Sequence, residues 1–176
     1  MIVKRVWLAG AAALMIAGAT PALAAKPAPT PEATAGLTRQ DGLVPVYLDA
    51  AKGRVLVALP APDARGVAGR YLYVSALKTG LGSAPVGLDR ARLGNTQVLA
   101  FRRIGGRVVA EFENPKFRAS GAPADEQAAA RDAFATSVVW SGKVEGTTAD
   151  GRLLVDLTGF LTRDVIGIAD ALKQAG

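Results

Sequence analysis

The sequence predicts a mainly β domain of the α+β class: an antiparallel sheet built from three hairpins with two short helices, preceded by a signal peptide and a disordered leader. Three observations predict this. Apolar and polar residues alternate through several short runs, the period of a half-buried strand. Glycine-bearing turns join these runs in pairs, at Gly53, at Gly105-Gly106 and at Asp150-Gly151. Only two stretches, residues 123–135 and 163–174, have the composition or spacing of a helix.

Residues 43–59 read as the first hairpin. Val44, Tyr47 and Leu48 lead into the turn at 49–53, and Val55, Leu56, Val57 and Leu59 lead out, with Gly53 suited to the left-handed position of the turn. Pro60 and Pro62 end it. Residues 70–77 (RYLYVSAL) read as a strand with both faces partly buried, Tyr71, Tyr73 and Ser75 alternating with Leu72, Val74 and Ala76. Residues 79–94 hold Gly80, Gly82, Gly87, Gly94 and Pro85 and read as a long irregular loop. Its pattern is neither a P-loop nor GxGxxG, so a phosphate-binding reading is weak and a structural or domain-contacting loop is expected.

The second hairpin, 96–103 and 107–113, turns at Ile104-Gly105-Gly106. Its return strand puts Val108, Ala110 and Phe112 on a core face and Val109, Glu111 and Glu113 on a wetter one. Residues 123–135 read as a helix: Pro123 suits the first turn, Asp125 and Glu126 suit the positive end of the dipole, and alanines dominate. The third hairpin, 138–146 and 152–158, puts Val138, Trp140, Gly142 and Val144 on one face and Leu153, Val155 and Leu157 on another. A last helix over 163–174 aligns Val165, Ile168, Ala169 and Leu172 on one stripe, which caps the sheet or awaits a second domain.

The N-terminus reads as a cleavable export signal. Lys4 and Arg5 precede an uncharged apolar core over residues 6–19, Pro21 breaks the helix, and Ala22-Leu23-Ala24 offers the small-x-small pattern for a cut before Ala25. The core is shorter than the roughly 20 apolar residues of a spanning helix. Residues 25–36, rich in Pro and Ala, read as a flexible leader, and residues 37–176 as one β-rich domain, incomplete at its C-terminal end. Cleavage removes Lys4 and Arg5 and leaves 19 basic against 15 acidic side chains. That mild excess, without a basic run and with few aromatics, gives no sign of nucleic-acid binding. An exported, bacterial protein is expected, periplasmic or secreted, with no stable membrane anchor after cleavage. The chain has no histidine and no cysteine, which rules out a Ser-His-Asp triad, a Cys-His dyad and a His/Cys zinc site.

One stretch resembles a known family. Tyr73-Val74-Ser75, then Thr79-Gly80-Leu81-Gly82-Ser83, Pro85, Gly87-Leu88-Asp89-Arg90 and Gly94 look like the N-terminal domain of unknown function of bacterial exported zinc-dependent metalloproteases of metzincin-like type. The later residues Phe134, Ser137, Val138, Trp140, Val155, Asp156, Phe160, Arg163 and Asp164 fit the same pattern, and the resemblance spans residues 37–176. It implies a member truncated before its catalytic domain. The HExxHxxGxxH motif of that domain is absent, so no catalytic residue, zinc ligand or cofactor is carried over, and zinc is expected only in the missing domain. The resemblance points to the loop residues Gly80, Gly82, Ser83, Pro85, Gly87, Asp89, Arg90 and Gly94 as a structural or domain-contacting motif, with Asp89 and Arg90 bracing the loop through an ion pair or hydrogen bonds. The function it implies is a non-catalytic accessory domain that packs on or positions a metalloprotease catalytic domain, in cis or in trans. The alternative is a stand-alone periplasmic binding or interaction protein of the same fold, using Tyr71, Tyr73 and Trp140 as contact aromatics, although their alternation with apolar neighbours favours a core role.

Overall fold

The computed structural model describes residues 31–82, 84–116 and 119–175. The expected signal peptide, with Ala22, Ala24 and Ala25, lies outside the described residues, as does Ser83 of the loop motif.

Eight strands form one antiparallel sheet: β1 (Thr38–Gln40), β2 (Val46–Asp49), β3 (Arg54–Leu59), β4 (Val67–Tyr73), β5 (Gln97–Ile104), β6 (Arg107–Glu113), β7 (Ser137–Thr147) and β8 (Leu153–Asp156), in the order β1-β2-β3-β8-β7-β6-β5-β4. Helices α1 (Ala124–Ala133), α2 (Thr158–Leu161) and α3 (Ile168–Gln174) complete the fold. The mainly β reading therefore holds, and all three hairpins form. Gly53 takes φ 61°, Gly151 φ 81° and, in the two-residue loop between Ile104 and Arg107, Gly105 alone takes a positive φ of 59°.

β7 pairs with β6 through its first half and with β8 through its second. The sheet coils as a result. Val57 and Leu59 of β3 share a core with Ala68 of β4, although four strands separate β3 from β4 in the sheet order. Leu99, Phe101, Val108, Ala110, Leu153 and Val155 fill that core. Phe160 of α2 closes its end, edge-on to Tyr73, Phe101 and Trp140. β3 and β8 are buried on both faces: Leu56, Ala58 and Leu154 pack with Tyr47 on the reverse side, covered by Ala33 and Leu37. Residues Pro31–Thr34, within the expected leader, form a 3-10 turn that brings Ala33 there. Each fully buried leucine contributes about 1.5–3 kcal/mol relative to an exposed one.

Four expectations need correction. β4 starts at Val67, not Arg70, because Gly69 (φ 141°) makes a bulge opposite β5 that allows the Tyr71 ring to lie over it. Its two faces are not equally covered: Tyr71 and Tyr73 pack inward, while Leu72 is 82% exposed. A second bulge, between Ala110 and Glu111 of β6 as they meet β7, makes Val139 the extra residue and turns Val138 onto the outer face opposite Glu111, away from Trp140. The expected last helix, 163–174, is shorter: α3 begins only at Ile168, after Gly167 at φ 77°, and α2 forms as a separate helix before the expected span. It is α2, through Phe160, that caps the sheet.

The outer face of β4–β6 carries charge. Arg70 reaches over Ala100 to Glu113 (2.7 Å), and Ala100 is fully buried beneath it. Glu111, expected on the wetter face, is only 4% exposed. It accepts from Arg102 at 2.6 Å and from the Thr136 hydroxyl at 3.4 Å, while Arg102 also donates to the Arg65 carbonyl.

Candidate functional site

The motif residues build the connection between β4 and β5. Its stem continues the β4–β5 ladder: Gly94 N–H donates to the Ser75 carbonyl (2.8 Å), Leu77 N–H to Arg92 (3.0 Å) and Ala91 N–H to Leu77 (2.9 Å), with a bridge between Ala76 and Leu93. Gly94 leaves room for the Ser75 hydroxyl, which would have to rotate away from a Cβ at this position. Beyond the stem the loop folds onto itself. Leu81 N–H donates to the Leu88 carbonyl (3.0 Å), and Gly80 packs directly on the Leu88–Arg90 backbone. A Cβ on Gly80 would collide with Arg90 N and sit 2.6 Å from the Leu88 carbonyl oxygen. Gly82 and Gly87 both take φ 66°, and Leu88 anchors the loop at 3% exposure.

The expected bracing by Asp89 and Arg90 side chains is not what holds the loop. Both side chains are exposed, and among the described residues neither forms an ion pair. Arg92, two residues on, donates from Nη1 to the Gly87 carbonyl, and its N–H donates to the Asp89 carbonyl at 3.1 Å. Pro85 is exposed on a short 3-10 turn, Ala84–Val86. The loop N–H groups of Leu81, Ala91, Arg92 and Gly94 are spent on loop carbonyls, so they are not gathered around a phosphate as in a P-loop.

α3 stands against this loop. The Asp164 carboxylate accepts the N–H groups of Gly167 (2.9 Å), Ile168 (2.9 Å) and Ala169 (2.8 Å), which satisfies donors that a helix start leaves open. Those bonds, first from Ala169 and then from Ile168, hold the Asp164 carboxyl below the usual carboxylate range. The cap aims Ile168 and Leu172 at the loop. With Ala76, Leu77, Leu81 and Leu88 they line an open, largely apolar groove of about 310 Å³. Leu81 is 59%, Ile168 37% and Leu172 47% exposed. The stripe predicted for the last helix thus borders a groove rather than covering the sheet. Leu88 is part of the motif but was not singled out as its anchor, and the brace Arg92 escaped the sequence reading.

Two other cavities have mixed polar and apolar walls. One of about 600 Å³ lies at the end of β4–β6, lined by Leu72, Val98, Phe112, Glu113, Lys116 and neighbours. Another, of about 460 Å³, has Arg39 and Asp150 at its wall. Arg39 is already bonded to Asp41 and Asp150 to Arg152 (2.8 Å), so neither charge is free for a ligand.

No protein-family model, curated protein or solved structure matches the chain. The site is therefore read from its residues. Among the described residues no group of three or more His, Cys, Asp or Glu side chains could hold a metal, and no helix is long and apolar enough to cross a membrane. Tyr71, Tyr73 and Trp140, the aromatics that a binding protein would use, pack against Phe101, Phe112 and Phe160. They do not form an open contact face.

Proposed function

We propose that this chain is a non-catalytic accessory module of an exported zinc metalloprotease-like protein, which packs on or positions a protease domain supplied in cis or in trans. The observation that carries the reading is the groove between the motif loop and α3. Its walls are fixed: Gly80 and Leu88 lock the loop, and Asp164 locks the helix. Its lining is apolar and open, which is the surface expected of a contact between two domains. Zinc and the catalytic groups belong to the partner domain in this reading, and the exported location follows from the N-terminal signal. The stand-alone binding alternative is weaker, because the aromatics it would use are committed to the core.

The groove is tested with an apolar-surface dye. The folded chain is expected to bind the dye, and Ile168→Lys with Leu172→Lys to remove most of the signal without changing near-UV circular dichroism. A wild-type chain that binds no dye would contradict the reading.

A further inference from the structure

The two edges of the sheet are unequal. β1 is three residues long, fully exposed, and carries Arg39 at its centre. A short, charged edge is a common guard against strand pairing. β4 has seven residues and is guarded only at its start. Gly66 C=O accepts from Arg103 N–H at 2.7 Å, so the next pair, Val67 and Arg102, is a non-hydrogen-bonded one, and Val67 turns its backbone groups away from β5. The Asp63 turn takes both: Val67 N–H donates to Asp63 Oδ1 (2.9 Å), and the Val67 carbonyl accepts from Asp63 N–H (2.9 Å). Past the bulge this cover ends. Among the described residues, no hydrogen bond from outside the sheet reaches the backbone of residues 70–73. Along this open stretch Tyr71 and Tyr73 point into the core, while Leu72 (82%) and Val74 (51%) stay exposed.

We propose that β4 pairs with β4 of a second copy of this chain, antiparallel about a two-fold axis at Leu72. The charge pattern selects this occupant and this register. A two-fold at Leu72 sets Leu72 against Leu72 and Arg70 against Val74, so the most exposed apolar residue of the strand covers its own copy and no like charges meet. Arg70 is already neutralised by Glu113 at 2.7 Å. A two-fold at Arg70 would oppose two guanidinium groups, as would one at Arg39 on the other edge, and directly opposed like charges destabilise a strand pair. Pairing joins the two sheets into one continuous sheet and gives the open backbone groups of each β4 their partners. The interface is isologous and closes on itself, so it yields a dimer and no fibre. It is separate from the groove beside α3, since Leu72 and Ile168 line different cavities.

Light scattering of the purified chain over a concentration series, with single-cysteine variants, tests the proposal. The wild type is expected to reach twice the monomer mass, and Leu72→Lys to stay monomeric with unchanged near-UV circular dichroism and a melting temperature that no longer rises with protein concentration. The chain has no cysteine of its own. Leu72→Cys is expected to form an intermolecular disulfide under mild oxidation, because directly opposed strand residues lie about 5.5 Å apart at Cα, within disulfide reach. Val74→Cys faces Arg70 of the other copy and is expected not to cross-link. A monomeric wild type at every concentration overturns the proposal. So does a dimer that survives Leu72→Lys, a dimer dissolved by Ile168→Lys instead, or cross-linking as fast at Val74→Cys as at Leu72→Cys.

Discussion

Gly80→Ala is the substitution that probes the motif loop most sharply. The added methyl meets backbone, not the tip of a side chain: it collides with Arg90 N and would lie 2.6 Å from the Leu88 carbonyl and 2.7 Å from the Asp89 carbonyl carbon. Relief requires the two arms of the loop to part. That breaks the Leu81 N–H to Leu88 carbonyl bond (3.0 Å), a loss of about 1 kcal/mol. It also lifts Leu88 from its buried position, which forfeits part or all of the roughly 1.5–3 kcal/mol of a buried leucine. The expected destabilisation is ~2–4 kcal/mol, or ~6–12 °C in melting temperature for a domain of this size. Gly82→Ala is the control in the same loop. No atom lies within 4 Å of its Cβ position, and only φ 66° opposes the change, at a cost of about 1 kcal/mol. Urea and thermal denaturation followed by circular dichroism measure both. A Gly80→Ala protein as stable as the wild type, or more stable than Gly82→Ala, would refute the claim that the loop is held by this crossing.

Further outcomes follow from the packing and the charges. Arg163 lies over the Phe160 ring at 4.3 Å and donates to the Val139 carbonyl at 2.9 Å and the Phe160 carbonyl at 3.1 Å, tying α2 to the β7 bulge. Arg163→Met keeps the stem but loses these contacts, and denaturation is expected to show a loss of ~2–4 kcal/mol. Glu111→Ala removes the buried partner of the half-buried Arg102, which keeps its bond to the Arg65 carbonyl, and is expected to cost about 1.5–3 kcal/mol. Asp41→Ala, which removes the exposed pair with Arg39, is expected to cost less than about 1 kcal/mol by the same assay. The Asp164 cap gives a pH dependence. Its folded-state pKa is depressed, so its stabilisation is complete above the ordinary carboxylate value near ~4 and fades as pH falls through the lower folded value. Amides of Ile168 and Ala169, compared by hydrogen exchange after correction for intrinsic rates, are expected to lose protection at low pH in the wild type and at all pH values in Asp164→Ala.

Much of this architecture was legible because turn chemistry and alternation are local. Gly53, Gly105 and Gly151 mark the three hairpins, and Val108 with Ala110, or Leu153 with Val155, announce a core face without reference to distant residues. What escaped is non-local. The pairing of β3 with β8 joins strands nearly a hundred residues apart and depends on how the whole sheet coils. The bulge at Val139 reverses the outward and inward sense of Val138, and no feature of the run SVVW distinguishes it from regular alternation. Glu111 reads as a solvated residue until Arg102 and Thr136 are placed beside it. At the candidate site the glycines were visible as a motif, yet their reasons differ. Gly80 is required by close approach to backbone, Gly94 sits beside the Ser75 hydroxyl, and Gly82 and Gly87 take a positive φ. Asp89 and Arg90 attracted attention as charges, while the bonds that brace the loop come from backbone groups and Arg92.

The accessory role is tested most directly by the intact mass of the native product in the host's exported fraction. The account predicts a product that has lost the signal sequence and carries this domain together with a zinc-containing protease domain, either in one polypeptide several times larger than 18.0 kDa or in a stable complex. A product of somewhat less than 18.0 kDa, free of any protease domain and of zinc, would contradict it.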